Sequence, residues 1–130
     1  MSFVEPKGIN SFSVYKEILP VVTSLVKFIT DLELNSENKN YLFILKEIKL
    51  NSINILLNLA QGYNKYFSTP KCVCYNDARD NLSVVQSYLI ILNELNIIEK
   101  DKALFFYNAL EDKIKMFIGL IKKIEAKKVN

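Results

Sequence analysis

Hydrophobic residues recur at three- and four-residue steps along most of the chain, the period of helices that each bury one stripe. Over about 13–33 this set is Tyr15, Ile18, Leu19, Val22, Leu25, Val26, Ile29 and Leu32, with Pro20 inside the pattern. A proline there removes one backbone bond and crowds the preceding turn, so a kink or short break is expected. Asn35 or Ser36 is the expected cap of a second helix over about 37–63, carrying Tyr41, Leu45, Ile48, Ser52, Ile55, Leu56 and Leu59, with Gly62 placed to end it. Residues 64–75, containing Pro70, read as one long loop. Asn76 or Asp77 then caps a third helix to about 95. A fourth covers about 100–127, with Ala103, Tyr107, Leu110, Ile114, Phe117, Ile121 and Ile124 on a heptad-like seam. The expected fold is all-α, an up-down-up-down four-helix bundle forming a single domain over residues 1–130.

Two of these helices are apolar on more than one side. In the third, Ala78, Leu82, Val85, Leu89 and Leu92 make one stripe, while Val84, Tyr88, Ile91 and Leu95 lie nearly opposite. In the fourth, Phe105, Met116 and Leu120 lie off the main seam. A helix of a small monomeric bundle needs one core-facing stripe. The surplus points to a homo-oligomer with Val84, Tyr88, Ile91, Leu95, Met116 and Leu120 at its interface. The alternative is a wide stripe packed within one protomer.

Composition narrows the chemistry. Three Gly and three Pro are too few for a many-stranded sandwich or barrel. The absence of histidine removes imidazole bases, Ser/His and Cys/His dyads, and Glu-x-x-His di-metal sites in a bundle core. No glycine-rich phosphate loop is present, since Gly8, Gly62 and Gly119 are isolated. No enzyme, metal or cofactor is expected. Cys72 and Cys74, one residue apart in the expected loop, would bridge poorly. They read as thiols in a reducing cytosol or, alternatively, as half of a site shared between subunits. The longest uncharged run, Leu50 to Asn64, is too short and too rich in Asn for a membrane span. Glu5 and Pro6 interrupt any leader-like start. The expectation is a soluble cytoplasmic protein.

The net charge of +3 is unevenly spread. Residues 113–130 carry six Lys against Glu125 alone, whereas residues 66–112 are net acidic. Lys115 and Lys122 are seven apart, Lys123 and Lys127 form an adjoining row, and Lys39, Lys46 and Lys49 share one side of the second helix. Such rows, with Arg79, can track phosphates and release condensed counterions. Lysines also complement a helix C-terminus and solvate exposed faces, which is the plainer reading. Tyr63, Tyr66, Phe67 and Tyr75 around the loop could stack on bases or simply pin the loop to the bundle.

The run Ile53-Asn54-Ile55-Leu56-Leu57-Asn58-Leu59-Ala60-Gln61-Gly62-Tyr63 resembles the Asn-Ile-Ala-Glu-Gly segment of the bacterial four-helix-bundle family that includes ribosomal-RNA intervening-sequence proteins. Tyr15 through Ile18-Leu19-Pro20-Val21-Val22 and Leu25-Val26-Lys27 is similar to the proline-containing first helix of a sister group, the accessory variability determinants of diversity-generating retroelements. The ending, Ala109-Leu110 through Ile114, Ile118-Gly119 and Ile121-Lys122, resembles that group's last helix. The resemblance implies a ring-like homopentamer with a basic surface that binds RNA or DNA and a partner reverse transcriptase, assisting mutagenic cDNA synthesis. The expected function is therefore a non-enzymatic nucleic-acid-binding accessory protein. The alternative is a protein–protein scaffold whose lysines only keep it soluble.

Overall fold

The computed structural model describes residues 7–10, 12–37 and 39–127. The leader reading of residues 1–6 and the last residues of the basic tail lie outside them. A single turn, α1 (Lys7–Asn10), precedes four long helices: α2 (Ser13–Asn35), α3 (Leu42–Tyr63), α4 (Ser68–Glu94) and α5 (Lys100–Ala126). Contacts run from α2 to α3, α3 to α4 and α4 to α5, and α2 closes on α5. With short connections between the long helices, this is an up-down-up-down bundle, and α3 and α5 occupy one diagonal. No described helix is long and apolar enough to cross a membrane.

The fully buried positions follow the helical period. They include Ile18, Val22, Leu25 and Ile29 on α2, Ile48, Ile55 and Leu59 on α3, Ala78, Leu82, Val85, Leu89 and Leu92 on α4, and Leu110 and Phe117 on α5. Three seams carry a polar tie besides this core. Lys49 pairs with Glu33 between α3 and α2. Asn58 donates to Asn81 (2.8 Å), which donates to Asn51 (3.2 Å), between α3 and α4. Buried Gln86 donates to Glu111 Oε2 at 2.8 Å and to the Tyr107 carbonyl at 3.3 Å, between α4 and α5. Ser52 is also buried, and its Oγ has no partner among the described residues.

The first helix runs through exposed Pro20 without the short break that was one of the two expectations there. Three helix boundaries depart from expectation. The second starts at Leu42 rather than 37: Asn35 still belongs to α2, and Tyr41 stands at the N-cap with no side-chain bond. The connection after α3 is residues 64–67, not 64–75, because α4 begins at Ser68. Pro70 is third in that helix, where the backbone N–H has no intrahelical partner to lose. Asn76 and Asp77 are therefore interior, and Cys72 and Cys74 sit on a helix rather than in a loop. Finally, Gly62 does not end α3 through a left-handed turn, since no described glycine has positive φ. It admits the Tyr75 ring: a Cβ at Gly62 would stand 2.5 Å from Tyr75 Cε1. Among the described residues the left-handed one is instead Asn96 (φ 60°). It ends α4 with two returning bonds, Asn96 N–H to Asn93 O at 3.0 Å and Ile97 N–H to Leu92 O at 2.9 Å.

Candidate nucleic-acid interface

At the end of the bundle where α3 meets α4, three aromatic rings pack together. Phe12, just before α2, stacks on Tyr63 with centroids 4.7 Å apart, and lies 5.7 Å from the Tyr75 ring. Tyr75 is 1% exposed, and burial is the main cause lifting its phenol above the ordinary value. Lys71, one turn before Tyr75 on α4, points back across both rings at 5.8 Å. Its Nζ donates to the Gly62 carbonyl at 2.8 Å and the Tyr63 carbonyl at 3.1 Å, satisfying the end of α3. Burial lowers the Lys71 ammonium below its ordinary value, opposed by Cys74 and then Cys72.

The last turns of α5 complete a shallow cleft of ≈ 360 Å³ over these rings. Leu120 and Ile124 form its apolar wall, and Lys123 and Lys127, one helical turn apart, stand with Lys71 around it. Among the described residues no acidic side chain lines it. The surroundings have the same sign. Residues 12–17, 60–75 and 120–127 hold six lysines (16, 65, 71, 122, 123 and 127) against Glu17 and Glu125, a net of +4 in a chain whose total is +3. Two helix N-termini (α2 and α4) and two C-termini (α3 and α5) meet at this end, so the macrodipoles largely cancel and the lysines set the field.

The other residues singled out from the sequence are distributed more widely. Lys115 and Lys122 are exposed on α5. Lys39 and Lys46 are exposed near the opposite end of the bundle, beside or on α3, so the two lysine groups do not merge into one patch. Lys49, on α3, pairs with Glu33 of α2. Arg79 is half-buried on α4. Tyr66 and Phe67 are exposed and meet edge to face, while Tyr63 and Tyr75 belong to the cleft floor. Phe12, Ser68, Lys71 and Ile124 are the cleft residues that sequence reading did not assign to a site.

The surplus apolar positions divide as well. Val84 and Ile91 are 40% and 41% exposed, and they line a groove with Tyr88, Ser83 and Ser87. Leu95 is exposed immediately after α4. Met116 and Leu120 rest partly on the core. A second outward stripe, absent from the sequence reading, follows a seven-residue step on α3: Phe43, Leu50 and Leu57, each more than half exposed. Its heptad spacing was the available signal. Among the described residues no group of three or more His, Cys, Asp or Glu could hold a metal ion.

These features define a four-helix bundle with a basic, aromatic-floored end. Its fold is similar to that of a crystal structure of a protein of unknown function from the S23 ribosomal protein family of Bacteroides thetaiotaomicron. The TM-score is 0.76 at 16% identity, over 84% of this chain and 98% of that one. No family profile matches the sequence, and no curated protein matches it.

Proposed function

We propose that the protein is a non-enzymatic, oligomeric nucleic-acid-binding accessory protein that partners a retroelement reverse transcriptase in mutagenic cDNA synthesis. The observation that carries this reading is the concentration of lysine at one end of the bundle, +4 over residues 12–17, 60–75 and 120–127. A chain with sixteen Lys and Arg79 alone lacks the bidentate forks of a base-specific reader, so phosphates are its target. The outward apolar residues of α4 support assembly, and repetition of the basic end around a ring multiplies weak contacts to RNA, cDNA and polymerase. The resemblance in the first and last helices supplies the retroelement context and favours a pentamer acting in the cytoplasm.

The test is a fluorescence-anisotropy titration with RNA and DNA at low and moderate salt. Wild type is expected to bind with little sequence preference, the logarithm of affinity falling by about 0.9 per phosphate neutralised for each log unit of salt on duplex DNA. Lys122→Glu/Lys123→Glu/Lys127→Glu should weaken binding to every sequence while leaving helicity unchanged. No binding by wild type at low salt would overturn the reading. The exposed stripes Phe43/Leu50/Leu57 and Val84/Ile91 favour the second reading, a protein–protein scaffold, which would then lead.

A further inference from the structure

The lysine-ringed cleft is shaped for more than attraction to a backbone. We infer that it binds one nucleotide unit, a phosphate carrying a flat base, presented either by an unpaired residue of a strand or by a free mononucleotide. This deepens the nucleic-acid reading and rests on it.

Phosphate is favoured on three counts. Among the described residues the lining holds three ammonium groups and no carboxylate. Lys123, in the last turn of α5, and Lys127, the residue that caps that helix, both line the cleft, so both can converge on one anion. Lys71 is fixed by two carbonyls, which use two of its three N–H donors and leave one for a ligand. A bound anion would also compensate the partial desolvation of that ammonium.

The flat apolar body follows from the rest of the cleft. Between the lysines it is bounded by Leu120 and Ile124 on α5 and by the Phe12/Tyr63/Tyr75 cluster. Phe12 already covers one face of Tyr63 and Lys71 lies over the ring, so open π-stacking on Tyr63 is not the geometry. A base would slot between the aromatic wall and the aliphatic side chains. The volume of ≈ 360 Å³ suits one small ligand and not a duplex. A base paired in a duplex cannot enter, so the cleft should confer a preference for single strands that the lysines alone would not.

The experiment compares single-stranded and duplex DNA by anisotropy, and AMP, adenosine and inorganic phosphate by calorimetry and ligand-observed NMR. The blocking variant is Ile124→Trp, which fills the slot without changing charge; Leu34→Trp, at an exposed position of α2 near the opposite end of the bundle, is the control. Single strands should bind at least about fivefold more tightly than duplex, the order expected when part of one flat base is buried against apolar walls. AMP should bind more tightly than either adenosine or phosphate. Ile124→Trp should abolish both effects while duplex binding persists, and Leu34→Trp should keep them. Equal affinity for both polymers with AMP no better than phosphate would overturn the cleft assignment and leave the phosphate-binding reading intact. Failure to bind either polymer would overturn that reading, and AMP binding blocked by Ile124→Trp would then assign the cleft to free nucleotide alone. No AMP binding in that case would remove the cleft too.

Discussion

Replacing Gly62 by alanine probes the contact on which the basic end is built. An added Cβ would lie 2.5 Å from Tyr75 Cε1, 2.8 Å from Tyr75 Cδ1 and 3.0 Å from Cys74 Cβ. None of these can retreat cheaply: the ring is fully buried against Phe12, and Cys74 Cβ is fixed to the backbone of α4. Overpacking of this kind costs about 1–3 kcal/mol, and so rigid a neighbourhood places it in the upper half of that range. Alanine recovers about 1 kcal/mol of helix propensity, leaving a net loss of about 1–2 kcal/mol. At about 3–5 °C per kcal/mol for a chain of this size, melting should fall by roughly 3–10 °C. Gly119 is the internal control. It is helical and exposed, and a Cβ added there would meet nothing within 4 Å, so Gly119→Ala should gain about 1 kcal/mol. Thermal and urea unfolding followed by far-UV circular dichroism measures both. A Gly62→Ala protein as stable as wild type would refute the close packing of α3 on Tyr75.

Three further outcomes are expected. Ser52→Ala removes a buried hydroxyl with no partner, so it should raise stability by about 1 kcal/mol in urea unfolding; a loss would mean that Ser52 is bonded after all. Burial raises the Tyr75 phenol, so the folded state keeps a proton that the unfolded chain releases near pH 10. That stabilisation is complete below the unfolded value and lost as pH climbs above it; the lowered Lys71 acts oppositely near the same range, and Tyr75→Phe should flatten the alkaline loss. An unchanged alkaline slope in urea titrations would contradict this. Ile91→Glu, on the outward face of α4, should reduce an assembly several times 15.0 kDa in light scattering without loss of helicity, whereas a wild-type mass of 15.0 kDa would remove the oligomer.

The parts of this structure that are local in sequence were readable from it. The seam of α5 carries no breaker, and its observed span, Lys100–Ala126, differs from expectation by one residue. The start of α4 was misplaced because Pro70 reads as a helix stop, although the first turn tolerates it. The polar run 35–40 offered Asn35 or Ser36 as the cap, and the helix begins after both, at Leu42. The site was less legible because its parts are distant in sequence. Lys123 and Lys127 could be marked by charge, but Lys71 joins them only once α4 is known to start early and aim its side chain at the end of α3. Lys49 was equally opaque: its partner, Glu33, lies on a different helix.

The most direct test holds net charge constant and moves its position. One variant carries Lys122→Glu, Lys123→Glu and Lys127→Glu at the basic end; the other carries Lys39→Glu, Lys46→Glu and Lys100→Glu at the far end, all exposed positions. Anisotropy titrations with one single-stranded oligonucleotide at matched salt should show binding nearly lost in the first and largely kept in the second. Equal loss in both would mean that net charge alone governs binding, and would contradict a nucleic-acid interface at the aromatic end of the bundle.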